Sequence, residues 1–305
     1  MCALGTHGAL TQIELAKKVG DEILERFRVY NHNCYENCTP VGTTSRGTPL
    51  AVNREVMSAD LKIAIGCVTA HPNTGFSGGG KIILPGVSHI DSIAHYHLEV
   101  PKEAPDSVGL GNFDRNVMRF DIEEAARMAG LDFKIDVVVN ERGATSGVFA
   151  GDFIEAHKKA VAESKVLYAL HPKPSGKDIV IANAFIKPNE MPIALLVGAL
   201  GLEGLRGTVV IIANAPEGQV VHYLLGRFGE DYGGRQYPVA AIPASVKLVI
   251  QAPHRARTFA DWFSNAEAVV WTRDWNETRK ELERTHDPGA RVAVVPSATM
   301  AYYGD

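Results

Sequence analysis

No window of the 305-residue sequence holds the roughly 18 to 20 unbroken apolar residues that a helical membrane span needs. The longest apolar stretch, Pro192 to Leu202, is shorter and contains two glycines. Met1 to Leu10 has no basic leader followed by an apolar run, so no signal peptide is expected. Basic residues are not in excess: 31 Lys and Arg stand against 35 Asp and Glu, a net charge of -4. That balance argues against a general nucleic-acid binder, which normally carries surplus positive charge on one face. Cysteine is scarce. Four residues, Cys2, Cys34, Cys38 and Cys67, point to a reducing cytoplasm rather than a disulfide framework. His32 beside Cys34 and Cys38 suggests half of a metal site. No second Cys/His pair at finger or ribbon spacing completes four ligands, so the thiols read as structural.

What is present is the composition of a globular protein, 46% hydrophobic and 22% charged, with length for two domains. Thr11-Gln12-Ile13-Glu14 matches a capping box, and apolar residues near helical spacing predict a helix from Thr11 to Phe27. Met1 to Leu4 reads as the tail of a strand, and Val52 to Met57 as helix or strand. A turn is expected at Ser45-Arg46-Gly47. Leu61 to Val68 is an aliphatic run that fits a strand buried on both faces of a parallel sheet. Helix is expected at Ile122 to Met128 and strand at Ile135 to Val139. Further on, strands are expected at Asp178 to Ile181, Val209 to Ala213, Val246 to Ile250, Ala268 to Trp271 and Val292 to Val295. Helices are expected between them at Ile193 to Leu202, Gln219 to Phe228 and Trp275 to Glu283. The alternation predicts an α/β fold of two α/β domains with mainly parallel sheets and an active site in the cleft between them. The Pro/Gly/Ser cluster His171 to Gly176 places the boundary between residues 1–172 and 173–305.

The chemistry concentrates after the strand at Leu61 to Val68, where open α/β sheets bind ligands. Gly75-x4-Gly80-Lys81 meets most of the phosphate-loop pattern, but Ile82 stands where Ser or Thr should hold magnesium, and Pro85-Gly86 would break the required helix. What survives is a loop whose glycines let backbone amides approach an anion, beside a lysine that supplies charge or a nucleophilic amine. His71 precedes that lysine, and His95 and His97 follow it. Imidazole suits both proton transfer near neutral pH and metal ligation. His157, His171, His222, His254 and His286 are read as structural.

The run His71-Pro-Asn-Thr-Gly75-Phe-Ser-Gly-Gly-Gly-Lys81-Ile-Ile-Leu-Pro85-Gly86, with His97 sixteen residues after the lysine, closely resembles the nickel-pincer lactate racemase family. Gly5-Thr6-His7, Gly42 to Pro49 with Val52-Asn53-Arg54, Gly111-Asn112 and Phe149 to Asp152 are similar to other segments of that family. The likeness is strong over residues 3–157 and thinner after 178. It implies a cytoplasmic isomerase that racemises or epimerises a small 2-hydroxy acid, lactate racemase-like. The implied cofactor is a nickel-pincer nucleotide, a pyridinium-derived thioamide mononucleotide covalent on Lys81 and made by separate cofactor-biosynthesis enzymes. The resemblance makes His97 the nickel ligand, with His95 its rival. It makes His7 and His71 the acid and base on opposite faces of the substrate, with hydride passing to and from the cofactor. Gly75, Ser77, Gly78 and Gly79 are expected to cradle the cofactor. Neither nucleic acid nor membrane is expected as a partner.

Two departures from the family pattern bear on the substrate. Full-length members carry on the order of a hundred further residues, about half a domain, before the segment matching His7. The chain is therefore expected to lack that N-terminal segment, including an Asp-x-Thr-Arg stretch whose arginine meets the substrate. In the second half, Ile193, Ala194 and Val197 stand where the family has the Tyr, Gln and Lys of a carboxylate-binding motif. Loss of charge-assisted contacts puts lactate itself in doubt, and Lys187, Arg206 and Arg235 are the candidate replacements. Two other functions stay open: a non-catalytic cofactor-binding homologue, and a phosphate- or nucleotide-binding enzyme built on the Gly-rich lysine loop.

Overall fold

The computed structural model describes residues 1–231, 239 and 241–304. Thr11 caps the first helix through the foreseen box, its hydroxyl accepting from the Glu14 amide while the Glu14 carboxylate accepts from the Thr11 amide. The predicted single helix is two, α1 (Gln12–Val19) and α2 (Asp21–Arg26), because Gly20 between them has a φ of 86°, outside helical space. Met1 to Leu4 forms no strand; Cys2 makes an isolated bridge to Asn31.

A hairpin follows, β1 (Cys38–Thr43) and β2 (Pro49–Asn53), turning at Ser45 to Gly47 and leading into the short helix α3 (Arg54–Met57). Next come β3 (Ile63–Cys67), the two-residue pair β4 (Ala70–His71) and β5 (Gly75–Phe76), and helices α4 (Ile90–Leu98) and α5 (Val117–Met128). The hairpin β6 (Phe133–Val139) and β7 (Thr145–Gly151) and the helix α6 (Glu155–Tyr168) complete this half. Strand β6 pairs parallel with β3 and antiparallel with β7, so this three-stranded sheet is mixed.

The expectation of a strand buried on both faces fails at β3. Ile63 and Ile65 are 56% and 66% exposed, because β3 is an edge strand and α6 packs against β6 and β7 instead. Strand β6 reverses the usual alternation: Lys134, Asp136 and Val138 point inward and fully buried, while Phe133 on the other face is exposed.

The second half follows the α/β expectation closely. Strands β8 (Ile179–Asn183) and β9 (Gly207–Ile212) are separated by α7 (Pro192–Leu200); after α8 (Gly226–Asp231) come β10 (Val246–Gln251), β11 (Val270–Thr272), α9 (Trp275–Thr285) and β12 (Val292–Val295). They form a five-stranded parallel sheet in the order β11-β10-β9-β8-β12. Both faces of the central strands β8, β9 and β10 are covered, as parallel sheets require. Val180, Ala182, Val209 and Ile211 meet Ala194 and Val197 of α7 on one side, and Ile181, Val210 and Val249 meet Leu282 of α9 on the other.

The helix expected over Gln219 to Phe228 is mostly absent. Its first part runs alongside the N-terminal segment instead, with Gly8 donating to the Val221 carbonyl and Tyr223 to that of Thr6. Those backbone groups are spent on tertiary pairing, and helix begins only at Gly226. The C-terminal segment also crosses back: the Tyr302 amide donates to the Tyr168 carbonyl, and the Tyr302 ring packs edge-on against Phe76 at 5.4 Å. These two returns close the halves over the glycine-rich loop. Among the described residues no helix is long and apolar enough to cross a membrane.

Candidate active site between the two halves

After β3 the chain folds through the β4–β5 pair into a single 3-10 turn, Gly79–Ile82, that carries Lys81. No α-helix starts there; α4 begins at Ile90. The helix N-terminus that a phosphate loop uses is therefore not formed. The loop is clamped from beneath instead. The buried Arg119 guanidinium of α5 donates to the carbonyls of Phe76 and Gly78. Asp136 accepts from the Gly79 amide at 2.9 Å. Ser77 is held too, its hydroxyl donating to the Cys67 carbonyl and accepting from the Thr69 amide.

Glycine is needed where this clamp closes. Gly79 has a φ of 59°, and a Cβ there would sit 2.8 Å from the His157 ring. Gly75, expected in the cofactor cradle, lies outside the cavity lining; its φ of 73° and its packing against the Asn112 carbonyl give it a structural reason to be glycine.

Asp136 is the hub of the clamp. Its carboxylate bonds Lys134 Nζ at 2.6 Å and His157 Nδ1 at 3.0 Å, with the side chains of Lys134 and Asp136 fully buried and His157 nearly so. Burial opposes its charge, but the His157 bond and the Lys134 ammonium overcome it and hold the carboxyl below its ordinary range. Burial, then repulsion by Arg119, drops His157 to about 4, so its ring is neutral near pH 7. His157, read as structural from sequence, supports the loop. Neither the buried Arg119 nor Asp136 was singled out in the sequence, where a charged residue in a helix or strand usually marks a solvated face.

Above the loop lies a cavity of about 500 Å³, walled by both halves of the chain. His7, His71, Ser77, Gly78, Gly79, Lys81 and His97 all line it. Lys81 Nζ lies 2.6 Å from His71 Nε2. Burial, and then the positive charge of Lys187 and Arg119, bring the lysine down to about 7. His71 falls well below its ordinary value, first from burial and then from the Lys81 charge. The backbone amides of Asn73 and Thr74 donate to His71 Nδ1, which places the ring proton of neutral His71 on Nε2, facing the lysine.

Helix α4 separates the two histidines that competed for a metal role. His97 lines the cavity, with Nδ1 bonded to the Ile93 carbonyl at 2.8 Å, leaving Nε2 for a ligand. Burial lowers it to about 4, so the ring is neutral and able to bind metal. His95, about 200° away around the helix, bonds Thr48 Oγ1 at 3.0 Å and is outside the lining. Among the described residues no cluster of three or more His, Cys, Asp or Glu side chains is placed to hold a metal. A metal at His97 would need further donors from a bound organic group. Of the suspected half-site, Cys34 and His32 are buried in packing, with His32 bonded to the Ser88 carbonyl, while the half-buried Cys38 thiol donates to the Glu36 carbonyl.

His7 and His222 meet across the junction of the halves, ring centroids 4.9 Å apart and edge to face. His7 is lowered by burial, with Glu190 partly offsetting. His222, read as structural from sequence, lines the cavity, and its Nδ1 accepts from the Leu224 and Leu225 amides. No local pattern marked it, because its partner is more than 200 residues away in sequence. Ile193 and Leu196 of α7 present an apolar wall, while Val197 is buried in the core of the second half. Arg206 is exposed at a turn outside the lining, and Arg235 lies outside the described residues.

Comparison with known proteins places the chain among similar sequences and folds. Residues 1–108 match the family described as lactate racemase N-terminal domain. The chain is 31% identical over 185 residues to a lactate racemase of Thermoanaerobacterium thermosaccharolyticum, covering 60% of this chain and 43% of that protein. It is 31% identical over 224 residues to one from Lactiplantibacillus plantarum, covering 72% and 52%. The chain thus spans about half the length of these curated relatives. Its fold matches the lactate racemase apoprotein from Thermoanaerobacterium thermosaccharolyticum with a TM-score of 0.77 at 22% identity, over 99% of this chain and 77% of that one. A Thermotoga maritima protein matches at 0.68 and 17% identity, over 99% and 84%. The chain is a homologue of the lactate racemases, matching their N-terminal domain family over residues 1–108.

Proposed function

We propose that the chain is a racemase or epimerase of a small 2-hydroxy acid and that it carries a nickel-pincer nucleotide on Lys81. The observation that supports this best is the buried Lys81–His71 pair at 2.6 Å, in one cavity with His7 and His97. A lysine lowered to about 7 offers a neutral amine for covalent attachment under ordinary conditions. A neutral His97 with a free Nε2 suits a nickel ion whose other donors belong to the organic group.

When bound, that group would supply the acceptor and donor of hydride. The remaining work falls to the chain. Inversion through a 2-keto acid needs a proton carrier on each side of the substrate. His7 and His71, whose burial favours the neutral ring, are the candidate proton carriers. The ring facing the hydroxyl would take its proton and become imidazolium, and the ring facing the alkoxide would have to be imidazolium beforehand to return one. Acylation of Lys81 would end its basicity and leave His71 Nε2 to serve the substrate. The clamp of Arg119 and Asp136 fixes the loop so that these groups keep their spacing, which is where positioning contributes to rate. In this reading the cofactor comes from separate biosynthetic enzymes, and the protein works in the cytoplasm.

Intact mass of the chain from a host able to make the cofactor, with and without Lys81→Ala, tests the attachment. The expected result is an adduct and nickel on the wild type alone. Incubation of the loaded protein with single enantiomers of several 2-hydroxy acids tests the reaction. Unchanged optical rotation with all of them, despite bound nickel, would favour the non-catalytic homologue.

A further inference from the structure

We infer that Lys187 grips the carboxylate of the substrate in this chain, an inference that rests on the racemase reading of the site. Three lysines line the cavity: Lys81, Lys134 and Lys187. Lys134 is fully buried and paired with Asp136. Lys81 is bonded to His71 and is the proposed attachment point. Lys187 has neither commitment. One of its three donors goes to Thr69 Oγ1 at 2.8 Å, and no carboxylate of the described residues is within ion-pair distance of it.

Its position is built from both halves. The Lys187 amide donates to Thr299 Oγ1, which anchors the residue just before α7. Its ammonium reaches across to Thr69, whose carbonyl accepts from the Ser77 amide of the glycine-rich loop. The charge therefore stands beside the loop that carries Lys81, and its field is felt at both Lys81 and His71. Glu190, three residues on, shares the lining; burial opposes its charge, and the Lys187 ammonium helps hold its carboxyl below the ordinary range without an ion pair between them. The wall of α7 that follows offers Ile193 and Leu196, which cannot bind an anion. A carboxylate entering the cavity meets in Lys187 a charge-assisted donor that no acidic side chain has already taken.

The test is a binding titration followed by tryptophan fluorescence, since Trp262 lines the cavity. The probes are lactate and its uncharged counterpart lactamide, with the full chain both bare and loaded. Lys187→Met should weaken lactate at least tenfold and leave lactamide within twofold, and Lys187→Arg should recover most of the loss. Equal lactate affinity in Lys187→Met and wild type overturns the inference. So does a wild type that binds no 2-hydroxy carboxylate, and so does a Lys187→Met chain that loses lactate and lactamide alike. If Lys187 discriminates lactate from lactamide while the loaded wild type racemises nothing, the grip stands and the racemase reading falls.

Discussion

Lys81 Nζ and His71 Nε2 lie 2.6 Å apart, and the proton of the neutral imidazole points at the lysine because Asn73 and Thr74 occupy the other ring nitrogen. Burial disfavours the ammonium, and Lys187 and Arg119 repel it. The bare chain should therefore show one lysine that reacts with a small amine-directed reagent with a pH midpoint near 7. An ordinary lysine titrates near 10.4. Peptide mass spectrometry across a pH series reads this directly. A Lys81 midpoint above 9 would contradict the neutral-amine argument.

The same shift has a consequence for stability. A lysine lowered from 10.5 to about 7 penalises the folded state by its full amount below about pH 7. The penalty fades as the pH rises toward 10.5, where the unfolded lysine also loses its proton. Lys81→Met should accordingly stabilise the bare chain, by about 1–4 kcal/mol at pH 6 on the scale of buried-charge replacements, with a smaller gain at pH 9. Denaturant unfolding of both proteins at the two pH values checks the sign and the trend.

Legibility in the sequence divides along physical lines. The second half was readable because its central strands β8, β9 and β10 are buried on both faces, so short aliphatic runs report strand directly. Even the edge strand β12, with Val292 and Val294 exposed, occupies the predicted residues, Val292 to Val295, because its run is all aliphatic. The first half was harder. At β6 the inward face carries Lys134 and Asp136, so a hydrophobicity reading selects the wrong side of the strand. Lys81, His71 and His97 were visible because they share one short stretch of sequence. Arg119, Asp136 and His222 were not, since each reaches the site through tertiary contacts with distant segments. The lost helix over Gln219 to Tyr223 has the same cause, backbone pairing with Thr6 and Gly8.

Asp136 should be the most costly single truncation beneath the loop. Asp136→Ala strands the fully buried Lys134 ammonium and removes the acceptor for the Gly79 amide. Breaking a buried pair on one side costs about 3–5 kcal/mol. The carboxyl is held below its ordinary range, so its stabilising contribution is complete above the usual carboxylate pKa. It is lost only as acid protonates it in the folded state. Chemical denaturation from pH 7 downward should show wild type and variant converging at strongly acid pH.

Gly79→Ala tests the clamp without touching a charge. The new Cβ meets the His157 ring at 2.8 Å at a φ of 59°, a combination of strain and overlap costing about 1–3 kcal/mol. The loop must shift to relieve it, which moves Lys81. The expected outcome is a folded protein with a lower midpoint in denaturant and reduced adduct on Lys81 by intact mass. Full loading at unchanged stability would show that the loop does not need this close approach.

His97 and His95 provide a paired test of the metal role, because they share one helix but face different surroundings. His97 keeps Nε2 free at the cavity wall, while its Nδ1 is fixed by the Ile93 carbonyl; the ring is thus oriented before any ligand arrives. His95 spends its Nδ1 on Thr48 Oγ1, next to the buried Thr48–Asp121 bond, and its removal should cost about 1 kcal/mol of stability. Elemental analysis of chains loaded in the same host should show nickel falling at least tenfold in His97→Ala, with the Lys81 adduct still present by mass. His95→Ala should keep its nickel and show only the stability loss. The reverse pattern would move the metal role to His95, and equal nickel in all three proteins would remove both histidines from it.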